Sequence, residues 1–195
     1  DGDIDLVTRG SDGAVYQSRL WWNDGAGHFA AGPEFQGEFI RWIGDLTGDG
    51  FPDLASVTKT CSICEDTGWR KGFGGGAFGS HTELSPVDSQ SVPFAVADLD
   101  ADGDLDFAIA YGFRLNVYWN DGSGVFTEEW VSSIGLSNAT SAHQVWSTDC
   151  NDDGRLDLLV TGSEREPACL TILRRRADNS GWVAPFAQVV HSNPY

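Results

Sequence analysis

The pair Asp-Gly recurs along the chain at a nearly constant interval. The four pairs begin at Asp1, Asp49, Asp102 and Asp153, which are 48, 53 and 51 residues apart. The surrounding text recurs too: residues 45–54 read DLTGDGFPDL, 98–107 read DLDADGDLDF and 149–158 read DCNDDGRLDL. Residues 1–6, DGDIDL, are the second half of the same phrase. A fixed period of about 50 residues indicates a repeat architecture, and this constrains the fold more than any local motif does.

A second phrase follows each Asp-rich loop. Residues 22–29 read WNDGAGHF and residues 119–126 read WNDGSGVF, with weaker echoes in GFGGGAF at 72–78 and ADNSGW at 177–182. The aromatic residue that ends the phrase lies 24, 25, 20 and 25 residues after the last Asp of its loop. Because the spacing between the two landmarks is similar in all four copies, the sequence indicates four copies of one structural unit.

Each unit has the pattern of four short β-strands. Runs rich in Val, Ile, Phe, Tyr and Trp stand on both sides of each loop, end at the Trp-Asn-Asp-Gly turn, and begin again at the closing aromatic. No segment shows a helical stripe of useful length. The sequence therefore predicts an all-β β-propeller of four-stranded blades, with about four blades in this chain, at residues 1–37, 38–90, 91–141 and 142–195. Because the first loop is cut in half, we expect a seven-bladed ring or a side-by-side assembly that extends beyond residue 1.

The Asp-rich phrase has the spacing of a metal-binding loop. In D-x-[DNT]-x-D-G-x-x-D, positions 1, 3, 5 and 9 offer side-chain oxygens, position 7 offers a carbonyl, and the Gly at position 6 permits a sharp reversal. Hard oxygen ligands in this number suit Ca²⁺ better than Mg²⁺. An EF-hand needs Glu at position 12, where this chain has Ser56, Ile109 and Val160, so that motif is excluded. The competing interpretation is that the Asp residues only make Asx turns.

The predicted ligands fall in four loops, which we number in chain order. Loop 1 retains Asp1, Asp3 (carbonyl) and Asp5; loop 2 has Asp45, Thr47, Asp49, Phe51 (carbonyl) and Asp53; loop 3 has Asp98, Asp100, Asp102, Asp104 (carbonyl) and Asp106; loop 4 has Asp149, Asn151, Asp153, Arg155 (carbonyl) and Asp157. Because Thr47 is a neutral ligand, we expect loop 2 to be the weakest of the three complete sites.

The loop and the N-D-G-x-G-x-F turn together resemble the FG-GAP and VCBS-type repeats of integrin α-subunit propellers and many secreted microbial proteins. The resemblance covers nearly the whole chain. It implies a propeller, usually seven-bladed, with Ca²⁺ in the loop that joins the first two strands of a blade, and an extracellular or cell-surface location. The chain departs from the family pattern in its halved first loop, in Thr47 and in a long segment at 59–77.

The formal net charge of −17 is concentrated in the loops, which hold 15 of the 29 acidic residues. This charge argues against a nucleic-acid partner, whose phosphates would be repelled. No run of residues is long and apolar enough for a membrane helix. No constellation of nucleophile and base is present, so we expect a non-catalytic protein.

Two further features bear on the location of the protein. Cys61 and Cys64 are compatible with a redox pair, half a zinc site or a local disulfide, and we favour the disulfide because no second C-x-x-C completes a zinc site. The pairing of Cys150 and Cys169 stays open. Asn138 begins an N-glycosylation sequon, Asn-Ala-Thr.

The expected function is an extracellular binding or structural module held rigid by Ca²⁺, used in adhesion, in protein or glycan binding, or in assembly through the end blades. The alternatives are a carbohydrate-binding lectin and an accessory domain of a larger secreted enzyme. Tryptophans are the natural sugar-stacking candidates: Trp21, Trp22, Trp119, Trp130 and Trp146. Trp119 and Trp146 are expected to fill space between blades, and Trp69, in the irregular segment, to be exposed.

Overall fold

The structure is a computed structural model that describes residues 5–11, 15–59, 65–85, 94–111, 114–133, 142–162, 168–176 and 181–190. Every regular element in these residues is a β-strand, and the strands form four antiparallel sheets. Within the described ranges we find no helix with the length and hydropathy that a bilayer crossing requires. The prediction of an all-β fold built from propeller blades is confirmed.

Each sheet is formed by strands that are consecutive in the chain, in the simple up-and-down order of a propeller blade. The first sheet has three described strands and the other three sheets have four. The strands are β1 (Leu6–Ser11), β2 (Tyr16–Asn23) and β3 (Phe29–Gln36); β4 (Glu38–Gly44), β5 (Asp53–Lys59), β6 (Glu65–Arg70) and β7 (Thr82–Ser85); β8 (Phe94–Ala97), β9 (Asp106–Tyr111), β10 (Arg114–Asn120) and β11 (Phe126–Ser133); β12 (Ala142–Thr148), β13 (Asp157–Gly162), β14 (Ala168–Arg175) and β15 (Trp182–Val190).

The second strand of each four-stranded sheet begins at the last Asp of a loop, and most of its described side chains are buried. In β9, Phe107, Ala108, Ile109 and Ala110 are all fully buried, so both faces of the strand are covered. A strand covered on both faces needs a continuous apolar run, which is why these segments do not alternate between apolar and polar residues.

The chain forms two compact units. The first unit contains the first and second sheets, and the second unit contains the third and fourth sheets together with Leu46–Gly48, the middle of loop 2. The core of the first unit is made by Leu20, Phe35, Ile40 and Leu54, with Val7, Trp22 and Phe78 packed against it. The core of the second unit is made by Leu99, Ala108, Ala110, Leu115, Val117, Val145, Leu158, Val160 and Leu173.

The first unit also buries a polar cluster beside its apolar core. The Glu38 carboxylate pairs with the Arg70 guanidinium and accepts a hydrogen bond of 3.0 Å from Ser56 Oγ. Arg70 Nη1 donates to the Gly79 carbonyl at 2.5 Å. A buried charge is tolerated when it is paired and hydrogen-bonded, as Glu38 is here.

The expectations for two tryptophans are wrong. Trp69 is only 6% exposed because it lies on β6, a strand that runs through part of the segment expected to be irregular. Trp146 was expected to fill space between blades, yet 44% of its surface is exposed. The sequence pattern located the strand that contains Trp146 but not the one that contains Trp69, and it did not determine how deeply the faces of either strand are covered.

Candidate metal centres and the turns that support them

The three complete Asp loops share one hydrogen-bonding pattern. The carboxylate at position 1 accepts the main-chain N–H of position 5 with one oxygen and the N–H of the position 6 glycine with the other. The distances are 3.2 and 2.8 Å at Asp45, 3.1 and 3.1 Å at Asp98, and 3.1 and 2.7 Å at Asp149. The position 1 carboxylate therefore shapes the loop with the same oxygens that are predicted to bind a cation.

Two residues of each loop have left-handed backbone conformations. Position 6 is Gly in every loop, with φ of 86°, 102° and 80° in loops 2, 3 and 4. Position 4 is Gly48, Ala101 and Asp152, with φ of 65°, 64° and 57°. The loop motif predicted the reversal at position 6 but not the one at position 4. The signal was present, because Gly and Asp adopt this conformation more easily than most residues do.

The Asp at position 9 links two neighbouring strands and is also a predicted ligand. In the three complete loops this residue is Asp53, Asp106 and Asp157, and each is almost completely buried. One carboxylate oxygen accepts a main-chain N–H from a residue at the end of the strand that follows the Asp's own strand, or just beyond that end. The four pairs are Asn23 to Asp5 at 2.9 Å, Gly72 to Asp53 at 2.7 Å, Asn120 to Asp106 at 2.9 Å and Arg175 to Asp157 at 3.2 Å.

Loop 3 brings three predicted ligands together. The carboxylates of Asp98, Asp100 and Asp106 offer oxygens that lie within 4.8 Å of one another. Within the described residues, no other three acidic, His or Cys side chains converge in this way. Carboxylate oxygens at this separation suit a hard divalent cation, so the residues of loop 3 fit Ca²⁺.

The remaining predicted ligands are placed less favourably in the described structure. In loop 4, the Asn151 amide donates to Asp153 at 3.0 Å. In loop 2, the Thr47 side chain is buried. Asp5 of loop 1 is exposed, and Asp1 and Asp3 lie outside the described residues.

The electrostatics of loop 3 favour a positive partner. Burial raises the pKa of Asp106 to about 6, against the opposing effect of hydrogen bonds from the N–H groups of Asn120 and Leu99. Burial and then the neighbouring Asp102 charge raise the pKa of Asp100, while the more distant Arg175 charge lowers it. Both carboxylates are thus harder to ionise than usual, and a bound cation would reverse this.

In loops 2 and 4, a basic side chain forms an ion pair with the carboxylate at position 5. Lys71 Nζ lies 2.9 Å from Asp49 Oδ2, and Arg155 Nη2 lies 2.5 Å from Asp153 Oδ2. The hydrogen bond to Asp49 is the main cause of a raised pKa of Lys71, to which the charges of Asp53 and Asp45 also contribute. The described structure contains no ion pair for Asp102, the position 5 residue of loop 3.

The Trp-Asn-Asp-Gly turn of the third sheet is hydrogen-bonded to loops 2 and 3 through the Asn120 side chain. Asn120 Nδ2 donates to the carbonyls of Leu46 at 2.7 Å and Leu105 at 3.1 Å. Asn120 Oδ1 accepts the N–H groups of Gly122 and Gly124 at 3.2 and 3.1 Å. This role of Asn120 was not among the predictions from sequence, although the recurrence of Asn after Trp signals it.

The first unit contains a cavity of about 550 Å³. Its walls are mostly apolar and include Trp22, Phe78 and the glycine-rich turn at 74–76, with Asp5 among the lining residues. A Cβ atom at Gly76 would lie 2.8 Å from the Trp22 ring, so only glycine allows this close approach. Among the sugar-stacking candidates, Trp22 is the one that lines this cavity.

Comparison with known proteins agrees with the geometry of the loops. Residues 98–160, which contain loops 3 and 4 entire, match the family model of the FG-GAP-like repeat. Over these residues the chain is similar to an FG-GAP-like repeat. This repeat runs from the convergent carboxylates of loop 3 through β9–β12 to β13. A sequence search of curated proteins found no match.

The fold is similar to that of a solved lectin from Agrocybe aegerita, described as recognising non-reducing terminal N-acetylglucosamine. The TM-score is 0.57 at 20% sequence identity, and the alignment covers 88% of this chain and 46% of the lectin chain. The chain thus spans about half the length of this relative. At this identity the likeness concerns the fold.

Three predicted sites lie outside the described residues: the Cys61–Cys64 pair, the Asn138 sequon and the first two ligands of loop 1. Cys150 is an exposed free cysteine at position 2 of loop 4. The main-chain N–H of Cys150 donates to Asp157, at the start of β13, at 3.2 Å. Cys169 pairs with Gly162, at the other end of β13. The two cysteines therefore lie at opposite ends of this strand.

Proposed function

We propose that the chain is a non-catalytic, extracellular, calcium-binding propeller module whose blades are made rigid by Ca²⁺ and present a surface to protein or glycan partners. The observation that carries this proposal is the convergence of Asp98, Asp100 and Asp106 within 4.8 Å. Three carboxylates at this distance repel one another unless a cation neutralises them.

The residues that would hold Ca²⁺ in loop 3 are Asp98, Asp100, Asp102, the Asp104 carbonyl and Asp106. The ion would supply positive charge and no reaction chemistry. It would cross-link the ends of β8 and β9, because Asp98 follows the first strand and Asp106 begins the second. The irregular arrangement of these oxygens suits Ca²⁺, since Mg²⁺ needs a near-ideal octahedron and keeps several waters.

The test is a thermal melt of the chain in EGTA, in CaCl₂ and in MgCl₂. A cation that binds only the folded state adds about 2.7 kcal/mol at a hundredfold excess over Kd, which raises the melting temperature by about 5–10 °C. Ca²⁺ should give the larger rise and EGTA should abolish it. An unchanged midpoint in Ca²⁺ contradicts the proposal.

A variant of loop 3 tests the assignment. Asp100→Asn removes one ligand charge while its amide oxygen still accepts the N–H of Asp102, a contact of 3.3 Å in the parent. This variant should lose most of the shift that Ca²⁺ produces. Glu83→Gln, which removes one charge at an exposed position of β7, is the matched control and should keep the full shift.

Glycan binding is the second candidate, favoured by the cavity beside Trp22 and by the lectin of similar fold. An apolar wall with a tryptophan and a rim carboxylate suits a sugar, whose ring carries both apolar C–H groups and hydroxyls. The test is a glycan array that includes terminal N-acetylglucosamine. Trp22→Ala should abolish retention, and Trp130→Ala, which alters an exposed tryptophan of the third sheet, should not. An array without hits rejects this candidate.

The extracellular location rests on the resemblance to secreted and cell-surface repeats and on the Asn138 sequon. Expression of the full-length protein in its own host, followed by detection in the medium or on unpermeabilised cells, tests it. Detection only inside cells contradicts this part of the proposal.

A further inference from the structure

The three complete loops differ in one respect that their shared backbone geometry does not explain. In loops 2 and 4, a basic side chain contacts the position 5 carboxylate: Lys71 on Asp49 at 2.9 Å and Arg155 on Asp153 at 2.5 Å. Both pairs are partly buried, with side-chain exposures of 39% and 29% in loop 2 and of 30% and 26% in loop 4. In the described structure, Asp102 of loop 3 has no ion pair.

The basic residues occupy positions where loop 3 carries a different residue. The N–H of Gly72 donates to Asp53 as the N–H of Asn120 donates to Asp106, so Lys71 stands where Trp119 stands in the third sheet. Arg155 is the position 7 residue of loop 4, and its counterpart in loop 3 is Asp104. In each blade, the identity of one residue therefore determines whether a basic side chain lies against the position 5 carboxylate of the loop.

In the same unit, the Arg175 guanidinium packs on two aromatic rings. The Arg175 guanidinium carbon lies 4.6 Å from the ring centre of Trp119 and 5.2 Å from that of Trp182. Loop 3 carries five Asp residues. Its position 5 carboxylate has no ion pair in the described structure, whereas those of loops 2 and 4 each have one.

We propose that Lys71 and Arg155 are built-in counter-ions that compete with Ca²⁺ in loops 2 and 4, so that loop 3 is the tight calcium site of this chain. The inference rests on the proposed calcium function and adds to it a ranking of the sites. Ca²⁺ can use Asp49 or Asp153 as a ligand only if the ammonium or guanidinium group moves aside. The same groups hold loops 2 and 4 in shape when Ca²⁺ is absent.

The test is calorimetric titration of the calcium-free chain with CaCl₂. The parent should show one tight binding step, followed by weaker ones. Asp45→Asn, Asp98→Asn and Asp149→Asn, made singly, assign each step to a loop, and only Asp98→Asn should remove the tight step. Three equal steps, or a tight step that belongs to loop 2 or loop 4, overturn the inference.

Exchange of the basic residues gives the sharper result. Lys71→Gln and Arg155→Gln should each tighten the weak step of their own loop by about fivefold, because the position 5 carboxylate loses its competing counter-ion. Asp104→Arg, which copies loop 4 into loop 3, should weaken the tight step by a similar factor or more. Arg114→Gln, at an exposed position at the other end of β10, is the charge-matched control and should change none of the steps.

A melt in EGTA distinguishes failure of the inference from failure of the calcium function. Without Ca²⁺, Lys71→Gln and Arg155→Gln should lower the melting temperature by about 2 °C because their loops lose a counter-ion. The calcium function fails if the parent binds no Ca²⁺, whatever these variants do. The counter-ion role fails if both variants melt like the parent in EGTA and bind Ca²⁺ like the parent.

Discussion

The main-chain N–H of Asn120 donates a hydrogen bond of 2.9 Å to the buried carboxylate of Asp106. This contact joins the turn that ends β10 to the last Asp of the loop before β9. It explains why the Asp-rich loop and the Trp-Asn-Asp-Gly turn keep a similar spacing in the sequence. The Asn120 side chain extends the connection to the Leu46 and Leu105 carbonyls.

Replacement of Asn120 should therefore destabilise the second unit. Asn120→Ala leaves two main-chain carbonyls and two glycine N–H groups without their partner, at an expected cost of about 3 kcal/mol in the free energy of unfolding. Urea denaturation measures this. Asn23→Ala is the matched control, because the equivalent side chain accepts from Gly25 and Gly27 in an exposed turn at 3.2 and 3.3 Å. Equal losses in the two variants would show that the Leu46 and Leu105 contacts contribute little.

Tyr16 should ionise at a higher pH than an ordinary tyrosine. Its hydroxyl donates to Glu65 Oε1 at 2.5 Å, and this hydrogen bond, with burial and the Glu65 charge, raises its pKa to about 12. Since the folded chain keeps a proton that the unfolded chain loses near pH 10, the stability from this contact is complete below pH 10 and is lost as pH rises through 12.

An absorbance titration of tyrosine ionisation measures this difference. Tyr16→Phe should remove the late step, and Glu65→Gln should move it towards pH 10 because the carboxylate charge is gone. A Glu65→Gln titration identical to that of the parent would contradict the assigned cause.

The Arg175 guanidinium should not be replaceable by an ammonium group. Arg175 is 6% exposed and lies over two tryptophan rings. Arg175→Lys keeps the charge but loses the planar group that stacks on them, so we expect a loss of about 1–2 kcal/mol in thermal unfolding. Arg19→Lys is the control: the Arg19 guanidinium carbon lies 5.9 Å from the Trp21 ring centre and its side chain is 37% exposed, so its loss should stay below about 0.5 kcal/mol.

Ala101→Gly should stabilise loop 3. Ala101 has φ of 64°, a conformation that costs a residue with a Cβ about 1 kcal/mol and glycine almost nothing. We expect a gain of about 0.5 kcal/mol, since the greater freedom of glycine in the unfolded chain offsets part of the relief. Ala26→Gly, in an exposed turn, is the control and should reduce stability in chemical denaturation. A loss in both variants would reject strain at Ala101.

Much of the fold follows from short-range rules. The Asp loops and Asn-Asp-Gly turns punctuate the chain, and the runs between them are rich in β-branched and aromatic residues, so the four-stranded sheets could be predicted. The left-handed conformation at position 4 could be inferred where the residue is Gly48 or Asp152, but not at Ala101, which has no local preference for it. The degree of exposure of Trp69 and Trp146 could not be predicted either, since burial depends on what covers each face of a strand.

The sequence by itself determined the repeat, the strand pattern and the loops with the residue types that calcium needs, because each of these depends on neighbours along the chain. Only the tertiary structure decided which oxygens converge and which are already matched by a positive charge. Lys71 reaches Asp49 from beyond the end of another strand, and Asp106 becomes buried only when its sheet is covered. Such contacts depend on strand register and packing, which the spacing of residues along one loop does not specify.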